Sequence, residues 1–531
     1  MLSTAAVVMA VISFASARQL INKKVSPTAN ARLGINLAGI VDWTTEFPFV
    51  DLFKQSRAWF VQGKEPANSG LGIDADGWVS QLPIGKAAST IISSLDNDHF
   101  PSGDYVILYE GDGEIKVPNY PYQSATLDKS ANTGRLLVNV NGHKGIFRLD
   151  IIKTNPQNYI KNIRVIPKQF EATYQQNPWN PDFLSRWQGV ACIRFMDFMT
   201  TNNSPQVNWH ERPQPRDASY VSKGVPLELM IDIANRLNTE PWFCLPHQAN
   251  DDYIKQFAST VKANLNPRLR AWVEYSNEVW NGGFEQNAYA AKQGLSLKFS
   301  DKPWEAAWKY TAHRSMQIFN IWQQVFGHEA VDKDKDDKHI HFVRVLAAQA
   351  AYSEVAEQIL SVEQAAKQAD VLAIAPYIHL SVPTNAEDGI TDIVVANWSL
   401  DKLFDHLNKV IVPMSVQWIQ GNKKVADQYG LKLVAYEAGQ HLVGVAGAEN
   451  NEQLTQLFLK ANADARMGEL YRQYFSAWAH NGGDLLCHYN SVGVWSKWGS
   501  WGLLQNYNDK PTPKFKAVID WANAHGQKML L

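Results

Sequence analysis

From about residue 178 onward, seven short apolar runs alternate with amphipathic stretches, and this rhythm restricts the fold more than any other feature of the chain. The runs are VACIRFMDF (190–198), EPWFCLPH (240–247), RAWVEYSNE (270–278), IHFVRVLAA (340–348), DVLAIAPYI (370–378), LKLVAYEAG (431–439) and DLLCHYN (484–490). Parallel strands joined by crossover helices produce this pattern. Near the N-terminus RLGINLAGI (32–40) has the same character, and the FPFVDLFKQSRAWF that follows reads as its helix or as a loop turn. Eight such units predict an α/β fold, a closed (β/α)8 TIM barrel, with functional side chains at the C-terminal ends of the strands.

The segment 61–168 breaks the rhythm. GDYVILYEGDGEIKV, GRLLVNVN and GIFRLDIIK alternate apolar with polar residues and are separated by Gly-rich turns at hairpin spacing. The expectation is an antiparallel β-sandwich domain inserted after the first barrel strand, so that 30–60 and 178–531 together make the barrel. The insert reads as a structural cover over one flank or as a sugar-binding module, since a fold does not by itself define a function. VDKDKDDKH (331–339) lacks the Gly and the distal Glu of a calcium loop and reads as a solvated turn.

The N-terminal LSTAAVVMAVISFASA has the length of a signal-peptide apolar region and ends in the small residues Ala15-Ser16-Ala17. Residues 1–17 are therefore expected to be a cleaved signal peptide, with an uncleaved anchor as the alternative. The first reading implies a secreted or periplasmic protein with no stable membrane insertion after cleavage. A formal net charge of -2 gives no reason to expect a polyanion, so nucleic acid is excluded as a partner. Cys192, Cys244 and Cys487 sit in apolar runs, which predicts buried thiols rather than a disulfide framework.

In AWVEYSNEVWNG (271–282) an apolar strand gives way to an amide, a carboxylate and an indole. If 270–278 is the fourth barrel strand, Asn277 and Glu278 stand at its C-terminal end. Glu437, in LVAYEAGQH, closes the seventh in the same way. Two carboxyls at one mouth suit glycosidic bond cleavage, in which one group protonates the leaving oxygen and the other attacks or activates water. The indoles of Trp43, Trp280, Trp495, Trp498 and Trp501 offer flat faces for pyranose rings.

On these motifs the chain resembles the clan A glycoside hydrolases, retaining β-glycosidases on a (β/α)8 barrel, over roughly 32–60 and 178–520. The resemblance implies a hydrolase acting on a β-glucan, mannan or xylan type of polysaccharide or oligosaccharide. It makes Glu278 the acid/base, Glu437 the nucleophile and Asn277 the donor to the sugar 2-hydroxyl. It also implies substrate-site roles for Arg194, His247, Tyr377 and Trp495 or Trp498. Arg194 and Tyr377 would keep Glu437 ionised, while an apolar setting beside Trp280 would keep Glu278 protonated. The plain alternatives are an Arg194–Asp197 salt bridge and a structural His247, with Asp42 and Asp197 in supporting places.

Two rival functions remain. A carbohydrate-binding protein that has lost turnover would be expected to lack one of the two Glu residues. A metal-dependent hydrolase would need more ligands than His247 and His379 supply, so neither a metal nor a cofactor is expected. Asn202-Asn203-Ser204 and Asn397-Trp398-Ser399 are glycosylation sequons wherever the host cell glycosylates.

Overall fold

The computed structural model describes residues 31–63, 67–68, 70–95, 99–331, 341–384 and 389–530, so the expected signal peptide and most of the VDKDKDDKH turn lie outside the described residues. Eight parallel strands close in chain order into one barrel. They are β1 (Arg32–Asn36), β2 (Cys192–Arg194), β3 (Glu240–Leu245), β4 (Ala271–Tyr275), β5 (Phe342–Ala347), β6 (Val371–Ile374), β7 (Lys432–Ala435) and β8 (Gly483–His488). Each apolar run supplies one strand, and β1 pairs with both β2 and β8 to close the ring. Every residue of β4, β6 and β8 is buried. Such strands lie between the barrel interior and the helix ring, lose water on both faces, and so read as continuous apolar runs.

Helices Leu227–Leu237, Asp251–Asn264, Pro303–Phe326, Val412–Gln428 and Ala465–His480 form crossovers between these strands. The first shows how local sequence sets such an element. Met230, Ile231, Ala234 and Leu237 recur at helical spacing and are buried, and Asn238 ends the helix in the left-handed conformation. Each large apolar side chain buried this way contributes about 1.5–3 kcal/mol.

The barrel interior is filled in layers. Cys192, Cys244 and Cys487 are buried free thiols there, packed with Trp242 and Trp272, whose rings stack at 5.0 Å. Gly34 is required by this packing, because a Cβ at that position would lie 2.5 Å from the Cys487 sulfur.

Between β1 and β2 the chain does not form an ordinary helical crossover at once. FPFVDLFKQSRAWF is a loop with one short 3-10 turn, Leu52–Gln55, capped by the Asp51 carboxylate, which accepts from the Phe53 amide at 3.1 Å. A small antiparallel pair, Gly72–Ile73 with Val79–Gln81, and two larger antiparallel sheets follow. One orders Lys161–Pro167, Gly103–Glu110, Thr133–Val140 and Tyr122–Asp128; the other orders Ala88–Ser93, Phe147–Thr154 and Gly113–Lys116. Side chains from both, among them Ile107, Val138, Leu149 and Val165, share a cluster with Phe47, Leu52 and Phe53 of the loop. That cluster is distinct from the barrel core. Among the described residues no helix is long and apolar enough to cross a membrane.

Candidate active site

At the exit of β4 the backbone turns sharply. Ser276 and Glu278 both adopt the left-handed region, at φ 56° and 42°, with Asn277 between them. Non-glycine residues hold such angles only where surrounding contacts impose them, and here those contacts are visible. Asn277 accepts from Arg194 Nη2 through Oδ1 at 2.8 Å and donates from Nδ2 to Asn202 Oδ1 at 3.0 Å. Glu278 accepts from the Tyr436 hydroxyl at 3.2 Å and from Asn281 Nδ2 at 2.9 Å.

Glu437 lies just beyond β7. The chain past β6 and the chain past β7 continue as a small parallel pair, Ile378–Val382 with Gln440–Gly444, which draws the two exits together. Tyr377 donates its hydroxyl proton to Glu437 Oε2 at 2.8 Å, and Arg194 Nη1 donates to Oε1 at 3.0 Å. The same guanidinium donates through Nε and Nη2 to Glu274 Oε2, at 3.1 and 2.9 Å, and through Nη1 to Asn36 Oδ1 at 3.2 Å. It also lies over the Tyr436 ring at 4.9 Å. Arg194 is therefore the hub of the site. It does not form the simple pair with Asp197 that the sequence allowed; Asp197 instead accepts from the Tyr489 hydroxyl at 3.1 Å.

The electrostatics correct one expectation. Burial raises Glu437 to about 8, and neighbouring Glu278 adds to the rise; Arg194 and Tyr377 pull the other way without overcoming it. Burial likewise raises Glu278, against the hydrogen bonds from Asn281 and Tyr436. Arg194 and Tyr377 thus contact Glu437 as expected, but the desolvation of Glu437 itself outweighs them. The guanidinium touches Glu437 and not Glu278, so Glu437 is the better placed of the two to carry the negative charge once one of them ionises. Burial also raises Asp197, to about 6.

This has a measurable consequence for stability. A carboxyl whose folded value lies above its unfolded one contributes stability that is complete below about 4.5 and is lost as pH rises through about 8. Glu437→Gln removes that loss. Its melting temperature relative to the native protein should rise by roughly 2 °C or more between pH 5 and pH 8. A difference that stays flat in calorimetry across this range would show that Glu437 titrates like an exposed carboxyl.

The remaining expected residues divide. His247 follows β3, is buried with its ring edge-on to Tyr289 at 5.3 Å, and has an Nδ1 without a hydrogen-bond partner; burial lowers it to about 4. Trp280 packs against the barrel core beside the β4 exit. The loop after β8 carries Trp495, whose indole donates to the Gly502 carbonyl at 3.0 Å, and Trp498, which is 63% exposed. Trp501 in the same loop packs edge-on to Tyr489 at 5.9 Å. Trp43 is half exposed, while Asp42 is committed to an ion pair with Arg57 at 2.7 Å. His379 stacks on His441 at 4.6 Å, and among the described residues no group of three or more His, Cys, Asp or Glu is arranged to hold a metal.

Sequence reasoning missed Glu274, Tyr436, Asn36, Asn202 and Asn281. Glu274 had a usable signal, being a carboxylate inside an otherwise apolar strand that must find a partner once buried. The other four look like ordinary residues until the barrel closes.

A (β/α)8 barrel with a buried carboxyl at the exit of β7 and a partly buried one at the exit of β4 is the class that fold and site define. No family model matches the chain, and no curated protein matches it. Among solved structures it is similar to a GH51 α-L-arabinofuranosidase bound to arabinose, at 10% identity over 94% of this chain and 82% of that one, with a TM-score of 0.44. It is also similar to a 4-O-α-L-rhamnosyl-β-D-glucuronidase from Fusarium oxysporum 12S, at 10% identity over 66% of each chain and a TM-score of 0.38. A third is the endo-1,4-β-D-mannanase of Thermotoga petrophila RKU-1, at 13% identity over 65% of this chain and 94% of that one, with a TM-score of 0.32. GH5, GH10 and GH51 glycoside hydrolases, families of clan A, stand among its solved neighbours.

Proposed function

We propose that this chain is a secreted retaining β-glycoside hydrolase acting on a polysaccharide or oligosaccharide of the β-glucan, mannan or xylan type. The observation that carries the reading is the contrast between two carboxyls at one barrel mouth. Glu437 lies against a guanidinium and a phenol hydroxyl, Glu278 against a phenol hydroxyl and an amide. In the first step the Glu437 carboxylate attacks the anomeric carbon while Glu278 gives its proton to the glycosidic oxygen; the C–O bond to the leaving group breaks and a glycosyl ester forms. In the second, Glu278, now a carboxylate, takes a proton from water as the water oxygen attacks the anomeric carbon and releases Glu437.

Asn277 spends one amide hydrogen on Asn202, which leaves the second for the sugar 2-hydroxyl. His247 and the indoles of Trp43, Trp280, Trp495 and Trp498 serve as sugar contacts. We read 61–168 as a β-sandwich insert that covers one flank of the barrel, and the N-terminal 1–17 as the signal that exports the chain. Carbohydrate is the partner in this reading, with no cofactor and no nucleic acid.

Retention requires carboxyl groups about 5 Å apart, against roughly 6.5–9.5 Å for an inverting enzyme. Proton NMR of the first product released from a β-linked oligosaccharide tests it. The β-anomer should appear first and then mutarotate. Initial release of the α-anomer would remove Glu437 as nucleophile, and no release from any β-glucan, mannan or xylan would remove the substrate class.

A further inference from the structure

Glu274 is a carboxylate beneath the mouth that the proposed reaction does not use. It sits on β4, four residues before Glu278, and is 1% exposed. All its contacts are donors. Arg194 reaches it through Nε and Nη2, the Trp242 indole donates to Oε2 at 2.8 Å, and the Cys244 thiol donates to the same oxygen at 3.3 Å. A carboxylate satisfies all four donors, whereas a protonated acid would turn its own hydrogen toward one of them. The two-pronged contact fixes the plane of the guanidinium, and the edge left over points at Glu437 and Asn277.

We propose that Glu274 is a positioning residue that cancels the charge of Arg194, so that Glu437 receives an oriented hydrogen bond from the guanidinium without the full pull of a cation. The inference deepens the reading of Glu437 as nucleophile and rests on it. The groups that face Glu437 are Arg194 from β2, Asp197 beyond it, Cys244 from β3 and Glu278 from the β4 exit. Tyr377, Tyr436 and Tyr489 face it from the exits of β6, β7 and β8. Arg194 is the one cation among them. Its charge is divided between two carboxylates, and the larger share, two of the nitrogens, goes to Glu274. A nucleophile with its own unshared cation would be more firmly ionised but a weaker base and a poorer attacking group.

Isotope-edited infrared titration of the whole chain reads the Glu437 carboxyl directly, with Glu437→Gln as the subtraction control. In Glu274→Gln the midpoint of Glu437 should fall by roughly one to three pH units, because Arg194 then serves a single carboxylate. Glu274→Asp keeps the charge but, one methylene shorter, draws the guanidinium away from Glu437, so its midpoint should stay at or above the native value. Opposite signs in the two variants support the inference. An unchanged midpoint in Glu274→Gln overturns it, and so does a fall in Glu274→Asp, which decides alone if the Gln variant does not fold. The acid limb of kcat/KM on an aryl β-glycoside should move with the infrared midpoint. Absence of turnover by the native protein would count against the hydrolase reading alone, since the infrared titration needs no reaction.

Discussion

Glu437→Ala should lower kcat on an aryl β-glycoside by about 10⁴-fold or more, equivalent to roughly 5.5 kcal/mol of lost transition-state stabilisation. The chain should still fold, because Arg194 keeps Glu274 as its counter-ion. Sodium azide should restore turnover by occupying the space of the carboxylate and attacking the anomeric carbon from the same side, which gives a glycosyl azide of inverted configuration. Glu278→Ala should behave differently. Its loss should be small for a dinitrophenyl leaving group, which needs no proton in the first step, and large for an alkyl or sugar leaving group. Two variants with identical leaving-group dependence would mean that the roles of the two carboxyls have been assigned without basis.

Arg194→Ala should be the most damaging single change to the molecule as a whole. The side chain is fully buried and ties β2 to Glu274 of β4, to Glu437 beyond β7 and to Asn36 of β1. Its removal leaves two carboxyls in the barrel with no cation, a situation that costs about 3–5 kcal/mol. Both turnover and stability should fall, because the donor to Glu437 is also the counter-ion of the barrel centre. Arg194→Lys should recover part of the melting temperature and little of the turnover, since an ammonium supplies charge without the planar fork. Turnover measured per folded molecule separates the two effects. A melting temperature close to native in Arg194→Ala would show that the carboxyls are readily neutralised and that the hub is dispensable to the fold.

How much of this could be read in advance differs between the backbone and the site. The barrel was written in local patterns: DVLAIAPYI and DLLCHYN are continuously apolar because each strand is covered on both sides, and the Leu227–Leu237 helix announces itself through spacing and a terminal Asn. The change to alternating residues in GRLLVNVN likewise marked antiparallel strands, since one face of that sheet meets its own core and the other meets water or a neighbour. Glu278 and Glu437 were identifiable because both end an apolar run, a position with meaning once eight units are counted. Partner choice was not local. Tyr436 and Glu278 are 158 residues apart, and Arg194 and Glu437 are 243 apart. Nothing in either neighbourhood states that Arg194 will be shared with Glu274 rather than paired with Asp197. That outcome depends on how far each side chain reaches across a closed ring. The direction in which Glu437 titrates depends on it too, because desolvation and a divided cation are properties of the enclosed space and not of any segment that bounds it.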